Sequence, residues 1–357
     1  MKVIFHAGAN KTGSTTIQIA FHKHIDLLVD HNFFYPVFPG DVPSEHWQLK
    51  ALDTGAVFPL YLRARMGNDE GPLLGTLVKE ILSKTVEIAR QSDGTILIST
   101  ESDMNEQALL AIKSFLEAHV PDLTILVYIR PSAEFFVSSL QHNLRHNYAV
   151  RTNVTGDPHL VKLNALDKVF GNDNVKVRVF ERRVLKNGDI VSDFRAWVER
   201  HIDKDLPDFR ATLPVNQSIS AASCAAVLRV KEVLSGDDAE RRFMAISKLI
   251  SRFDKKIGGA NLKLSADMIL RLHTKSHVES WNLQIARTEH TQEEKAKLLL
   301  VPQQVDLPAL EDADVKKWLN SFWDEGHVKA LIDLAARAEV PAPKEVVDDL
   351  RQLIASA

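Results

Sequence analysis

The sequence predicts an α/β fold with a mostly parallel sheet, followed by a helical C-terminal region. Three observations predict it. Short apolar runs recur at 3–7 (VIFHA), 95–99 (TILIS), 124–129 (TILVYI) and 175–180 (VKVRVF). Helix-period patterns separate those runs. Beyond Asn216 the strand-like runs stop, and helical patterns continue to the C-terminus.

Runs this short and apolar read as strands buried on both faces, and strands alternating with helices argue for parallel pairing between layers. The expected division is therefore an α/β core over 1–215 and a helical region over 216–357 packed on it. Five helical segments are read in the second part, at 218–234, 238–253, 265–286, 313–338 and 343–356. Ser220, Ser265 and Asp312 are the expected N-caps of three of them, and Pro341 and Pro343 mark a break before the last.

Composition narrows the function classes. The 357 residues are 45% hydrophobic and 25% charged, ordinary values for a globular chain long enough to bury a core without staples. A net charge of −3 leaves no global basic field for bulk binding of nucleic acid or an anionic membrane. The single cysteine, Cys224, excludes an internal disulfide and a multi-cysteine zinc site; in its Ala-rich stretch it reads as a small buried side chain. No run approaches the ~20 apolar residues of a membrane span. The first strand begins near Val3, so no secretory leader is expected and the expected location is cytoplasmic.

The N-terminus, KVIFHAGANKTGSTTIQ, reads as a buried strand, a tight loop and an amphipathic helix. Ile17, Phe21 and Leu28 form its apolar face, with His22, Lys23 and Asp26 opposite. The loop supplies Lys11, Thr12, Gly13, Ser14, Thr15 and Thr16 where the helix starts. Helix N-termini present N–H groups and partial positive charge; a glycine permits close approach, and lysine and hydroxyls add donors. This is a cradle for a phosphate or sulfate group. An ordinary nucleoside-triphosphate loop has glycine directly before lysine, whereas here Lys11 precedes Gly13 by two positions.

A second segment, TILVYIRPSAEFFVSSLQHNLRH, runs from 124 to 146. A strand ends at Ile129, Arg130 follows, and Pro131 opens a helix whose apolar face is Phe136, Leu140 and Leu144. Ser138, His142 and Arg145 lie on the other face. An arginine at the C-terminal end of a parallel strand stands where open sheets hold ligands, and its guanidinium matches phosphate. Between the two segments, Glu101 stands at the end of a third buried strand. A carboxylate there can accept a proton from a hydroxyl nucleophile, typically a ~10²–10⁴-fold effect. His46, His142 and His146 are rival bases. Asp103 is the expected N-cap of a helix over 105–118, and His6 is read as packing support for the loop.

The string KTGSTT resembles the 5′-phosphosulfate-binding loop of the sulfotransferases that use 3′-phosphoadenosine-5′-phosphosulfate, and GANKTGSTTIQ resembles bacterial members of that superfamily. Arg130 and, eight positions on, Ser138 reproduce the superfamily's 3′-phosphate motif in the same order along the chain. The resemblance implies a three-layer α/β/α fold of the P-loop nucleotide-hydrolase type. It implies that Lys11, Thr12, Gly13, Ser14, Thr15 and Thr16 hold the 5′-phosphosulfate and that Arg130 and Ser138 hold the 3′-phosphate. Lys11 is also catalytic in this reading, stabilising charge on the departing bridging oxygen, with Glu101 as base and no metal required. The product is adenosine 3′,5′-bisphosphate, and the implied acceptor is a hydroxyl or amine of a saccharide. Glu101 matches the glutamate base of heparan-type members, but Ser102 stands where they carry lysine.

Weaker likenesses are Phe180 and Glu181, read as lining the adenine side, and the segments at 31–38 and 214–220. Arg145, His146 and Arg151 form a basic cluster. Residues 240–357 carry no motif. Two alternatives stay open: a nucleotide-dependent kinase with an atypical loop, and a nucleotide-binding module without turnover.

Overall fold

The structure is a computed structural model that describes residues 1–38, 46–53, 70–101, 104–120, 122–147, 157–210, 218–301, 308, 310–338 and 343–355. The chain divides into two compact units. The first comprises Met1–Pro131, Asp157–Val215 and Ser280–Leu300, and the second Ser132–Gly156, Asn216–Glu279 and Val301–Ala357.

In the first unit, β1 (Lys2–Ala7), β2 (Phe33–Phe34), β3 (Thr95–Thr100), β4 (Leu123–Ile129) and β5 (Val175–Val179) form one sheet in the order β2-β3-β1-β4-β5, with every pairing parallel. The four apolar runs are strands, as expected. Alternate side chains serve two separate cores. Val3 and Phe5, Ile96 and Ile98, Ile125 and Val127, and Val177 and Val179 face one layer. That layer contains α3 (Glu70–Gln91), α4 (Glu106–His119) and α6 (Pro158–Phe170). Ile4, Leu97, Leu126 and Tyr128 face the other, built from α1 (Ser14–Lys23) and α7 (Ile190–Ile202). Covering both faces satisfies the requirement of a parallel sheet for burial on both sides, and gives the three-layer α/β/α arrangement.

The predicted face of the first helix is observed: Ile17, Phe21 and Leu28 are buried. The helix breaks at His24, after which α2 (Ile25–Val29) starts. In the α7 layer Asp193 is buried, accepting from Nη2 and Nε of Arg178 (2.9 and 3.1 Å), the Tyr128 hydroxyl (2.6 Å) and the Lys186 backbone N–H (2.9 Å). A buried carboxylate with all these donors is satisfied rather than stranded.

The second unit contains α5 (Ser132–His146), α8 (Ala221–Val233), α9 (Ala239–Ile257), α10 (Ala266–Leu272), α13 (Asp312–Asn320), α14 (Glu325–Ala336) and α15 (Lys344–Ala355). Phe136, Leu140 and Leu144 of α5 join Cys224, Phe243, Ile250, Leu319, Leu331 and Leu350 in its core. Cys224 is buried as expected, and burial pushes its thiol up.

Two predicted helices are each broken in two. The segment at 265–286 divides into α10 and α11 (Lys275–Arg287), with the Thr274 hydroxyl accepting from the His277 N–H (3.4 Å) at the restart. The segment at 313–338 divides because Asp324 N-caps α14 by accepting from the His327 N–H (3.0 Å). Ser220 and Ser265 are N-caps. Asp312 is not: Glu311 caps α13, in a capping box with Asp314. The cap of α4 is Asn105, which accepts from the Ala108 N–H (2.9 Å), rather than Asp103, which lies outside the described residues. Ser102, Arg151 and Pro341 also lie outside them. Among the described residues no helix is long and apolar enough to cross a membrane.

Candidate functional site

β1 occupies the centre of the sheet, and the chain crosses over it between β3 and β4. The C-terminal edge of β1 is therefore the point where connections leave in opposite directions, the usual ligand-binding crevice of an open parallel sheet. The loop carrying Lys11 lies there.

The loop is shaped by two constraints. Gly8 donates its N–H to the Thr100 carbonyl (2.8 Å), and a Cβ at Gly8 would stand 2.4 Å from Ser14 Oγ and 3.1 Å from that carbonyl. Only glycine fits so close an approach. Lys11 and Gly13 both have left-handed backbone, with φ of 64° and 82°. At Gly13 this is free; at Lys11 it stores strain.

The hydroxyl run divides into two roles. Thr12 and Ser14 are buried, and both hydroxyls turn back to the Ala9 carbonyl, at 2.6 and 3.4 Å. They hold the loop in shape. Lys11, Gly13, Thr15 and Thr16 are partly exposed. The helix ladder begins with Thr16 and Ile17 donating to the Gly13 carbonyl (3.0 and 3.2 Å), so the N–H groups of Ser14 and Thr15 precede it. Such leading N–H groups are what an anion at a helix N-terminus engages.

Glu101 follows β3 directly, and its carboxylate accepts from the Thr15 hydroxyl (3.2 Å). The end of β3 is held from two sides. His6 Nδ1 pairs with Ser99 Oγ (2.8 Å). His46 Nδ1 accepts from the Ser99 N–H (3.0 Å), while the His46 N–H donates to the Ser99 carbonyl (3.0 Å). Burial pushes both imidazoles down to about 3. His46, a rival base by sequence, is thus a buried neutral ring bonded to β3, 4.4 Å from the Tyr35 ring and 5.2 Å from that of Phe38.

Arg130 follows β4. Its Nη1 donates to the Lys11 carbonyl (2.8 Å), and its guanidinium lies 5.2 Å from the centre of the Phe180 ring. Phe180 and Ile190 also line the other side of Gly13, where a Cβ would meet them at 2.9 and 3.1 Å. The aromatic residue read as lining the adenine side is packed against the loop and Arg130. The Glu181 side chain pairs with Arg183 (3.2 Å).

Two residues absent from the sequence reading join this site. On α6, His159 bonds the backbone of both Asn10 and Arg130, and Lys162 donates to the Gly8 carbonyl. The signal that precedes them is Asp157-Pro158, an N-cap and N1 pair that starts α6 and puts His159 and Lys162, three apart, on one helical face.

Lys11, Thr12, Gly13, Ser14, Thr15, Thr16, Glu101 and Arg130 are thus brought together at one sheet edge. Ser138, His142 and His146 belong to the second unit, on α5, where the two histidine rings lie 4.6 Å apart.

No protein-family model matches the chain, and no curated protein does. Among solved structures, a sulfotransferase from Alicyclobacillus acidocaldarius is similar over 73% of this chain and 97% of its own, with 13% identity and a TM-score of 0.36.

Proposed function

We propose that the chain is a sulfotransferase that moves a sulfuryl group from 3′-phosphoadenosine-5′-phosphosulfate to an acceptor hydroxyl, with adenosine 3′,5′-bisphosphate as the leaving product. The observation that carries this reading is the convergence of a lysine-bearing anion loop, a carboxylate and an arginine at the C-terminal edge of one parallel sheet, linked through Thr15–Glu101 and Arg130–Lys11.

In this reading Lys11 and the N-terminus of α1 bind the 5′-phosphosulfate, and Arg130 binds the 3′-phosphate. The acceptor oxygen forms a bond to sulfur as the bond from sulfur to the bridging phosphate oxygen breaks. Glu101 takes the acceptor's proton, and Lys11 stabilises charge on the departing oxygen. Such preorganised contacts are each worth ~10²–10³ in turnover, and in-line positioning carries most of the rest, as in phosphoryl transfer. The acceptor class is a saccharide hydroxyl, taken from the resemblance of the loop to bacterial members.

A thermal-shift titration tests the donor site. At ~100 Kd of adenosine 3′,5′-bisphosphate, stability rises by roughly 2.7 kcal/mol. Adenosine 5′-monophosphate and ATP–magnesium are the controls. A shift with ATP–magnesium and none with the bisphosphate would overturn the reading in favour of a kinase; no shift with any of the three favours a module without this chemistry.

A further inference from the structure

We propose that His159 is a positioning residue that ties the phosphate loop to Arg130, so that the two ends of the nucleotide are gripped in fixed register. The inference rests on the donor-site reading above.

The imidazole is 2% exposed and makes bonds with both nitrogens. The Arg130 backbone N–H can only donate, and it lies 2.9 Å from Nδ1. Nδ1 also lies 3.2 Å from the Arg130 carbonyl, but the shorter contact with an obligate donor makes Nδ1 the acceptor, and Nε2 carries the proton and donates to the Asn10 carbonyl at 2.8 Å. Burial, which pushes this histidine below its ordinary value, favours the same neutral form.

The ring does a job that the sheet does not. β4 ends at Ile129 and Pro131 follows, so the Arg130 N–H lies beyond the last strand residue. An N–H shielded from water needs an acceptor, and the buried ring of His159 supplies one to this part-buried group from α6. The Asn10 and Lys11 carbonyls are consecutive in the loop. One receives the imidazole and the other the Arg130 guanidinium. The result is a closed circuit: Arg130 backbone, His159, Asn10, Lys11 and back to the Arg130 side chain. Removing the ring opens the circuit without removing any charge from the site.

A residue that merely supports the fold would weaken all nucleotides alike. A positioning residue for Arg130 alters discrimination for the 3′-phosphate. The test is calorimetric titration of wild type, His159→Ala, His159→Asn and Arg130→Ala with adenosine 3′,5′-bisphosphate and adenosine 5′-monophosphate. Thermal unfolding confirms that each variant is folded. Wild type should prefer the bisphosphate. Both His159 variants should lose about tenfold of that preference, the effect of one misplaced charge-assisted bond, and so resemble Arg130→Ala, with monophosphate binding changed far less. Asn keeps an acceptor for the Arg130 N–H but is too short to reach Asn10 as well; it gives the same reading where Ala does not fold. Folded His159 variants with the wild-type preference overturn the inference alone. A wild type without preference overturns the donor-site reading, and the inference with it.

Discussion

Lys11 has a left-handed backbone, with φ at 64°, and the proposed function has it present a cation to an anion. These demands separate in a pair of substitutions. A residue with a Cβ in the left-handed region costs ~1–2 kcal/mol, and glycine does not incur that cost. Glycine loses an extra ~0.5–1 kcal/mol of chain entropy on folding. Lys11→Gly should therefore be more stable than Lys11→Ala by about 0.5–1 kcal/mol, although both lack the same side chain. Both keep the Lys11 carbonyl that receives Arg130, so the rest of the site is undisturbed. Both lose a charge-assisted contact to phosphate worth ~1.5–3 kcal/mol, about 10–150-fold in Kd. Urea unfolding of the two variants and calorimetric titration with adenosine 3′,5′-bisphosphate read the two effects separately. An alanine variant as stable as the glycine variant would refute the strain. Wild-type affinity in either would refute the role of the Lys11 ammonium.

Gly8→Ala should weaken bisphosphate binding at least tenfold in the same titration and cost ~1–3 kcal/mol of stability, because the new Cβ would lie 2.4 Å from Ser14 Oγ and 3.1 Å from the Thr100 carbonyl; unchanged binding would mean that the loop's shape is not set there. Stability should also fall on acidification below pH 6.5. His6 and His46 titrate near 3 when folded and near 6.5 when unfolded, so between those values the unfolded chain holds more protons. Their contribution is complete above pH 6.5 and is lost toward pH 3, at up to about 1.4 kcal/mol per pH unit for each ring. Urea unfolding from pH 7 to 5 checks this: His46→Asn, whose side-chain oxygen can still accept from the Ser99 N–H, should have a shallower slope than wild type, and an equal slope would refute it.

Most of the first unit is legible in the sequence because its information is local. Each long strand is one short segment rich in β-branched and apolar residues, and Lys11 to Thr16 are contiguous. Glu101 and Arg130 each directly follow a strand, at the same edge of a parallel sheet. What escaped the sequence depends on contacts between distant segments. Phe33–Phe34 is too short for a periodic signal and is a strand only because β3 offers it an edge. The roles of Thr12 and Ser14 depend on which hydroxyls turn toward Ala9, and no spacing rule separates them from Thr15 and Thr16. His159 and Lys162 matter because the first turns of α6 face the loop, which is a property of packing. Helix breaks were missed for a different reason. Asp324 lies inside the segment at 313–338 that reads as one helix, although an aspartate can end one helix and cap the next.

The choice of histidine for three supports, His159 on the loop and His6 and His46 on the end of β3, follows from electrostatics. An anion site needs its positive charge on groups that face the anion, and the proposed function gives that role to Lys11 and Arg130. A lysine or arginine in place of His6, His46 or His159 would bury additional charge behind the site, at a large desolvation cost. A neutral imidazole adds no charge, yet it can donate from one nitrogen and accept at the other. His159 uses both, bridging segments 120 residues apart in the chain. His6 and His46 converge on Ser99, two residues before Glu101. All three are held below the ordinary histidine value by burial, so near neutral pH the clamps are uncharged. A lysine or arginine is already protonated in acid, so acidification acts on the site through these rings rather than through its cations.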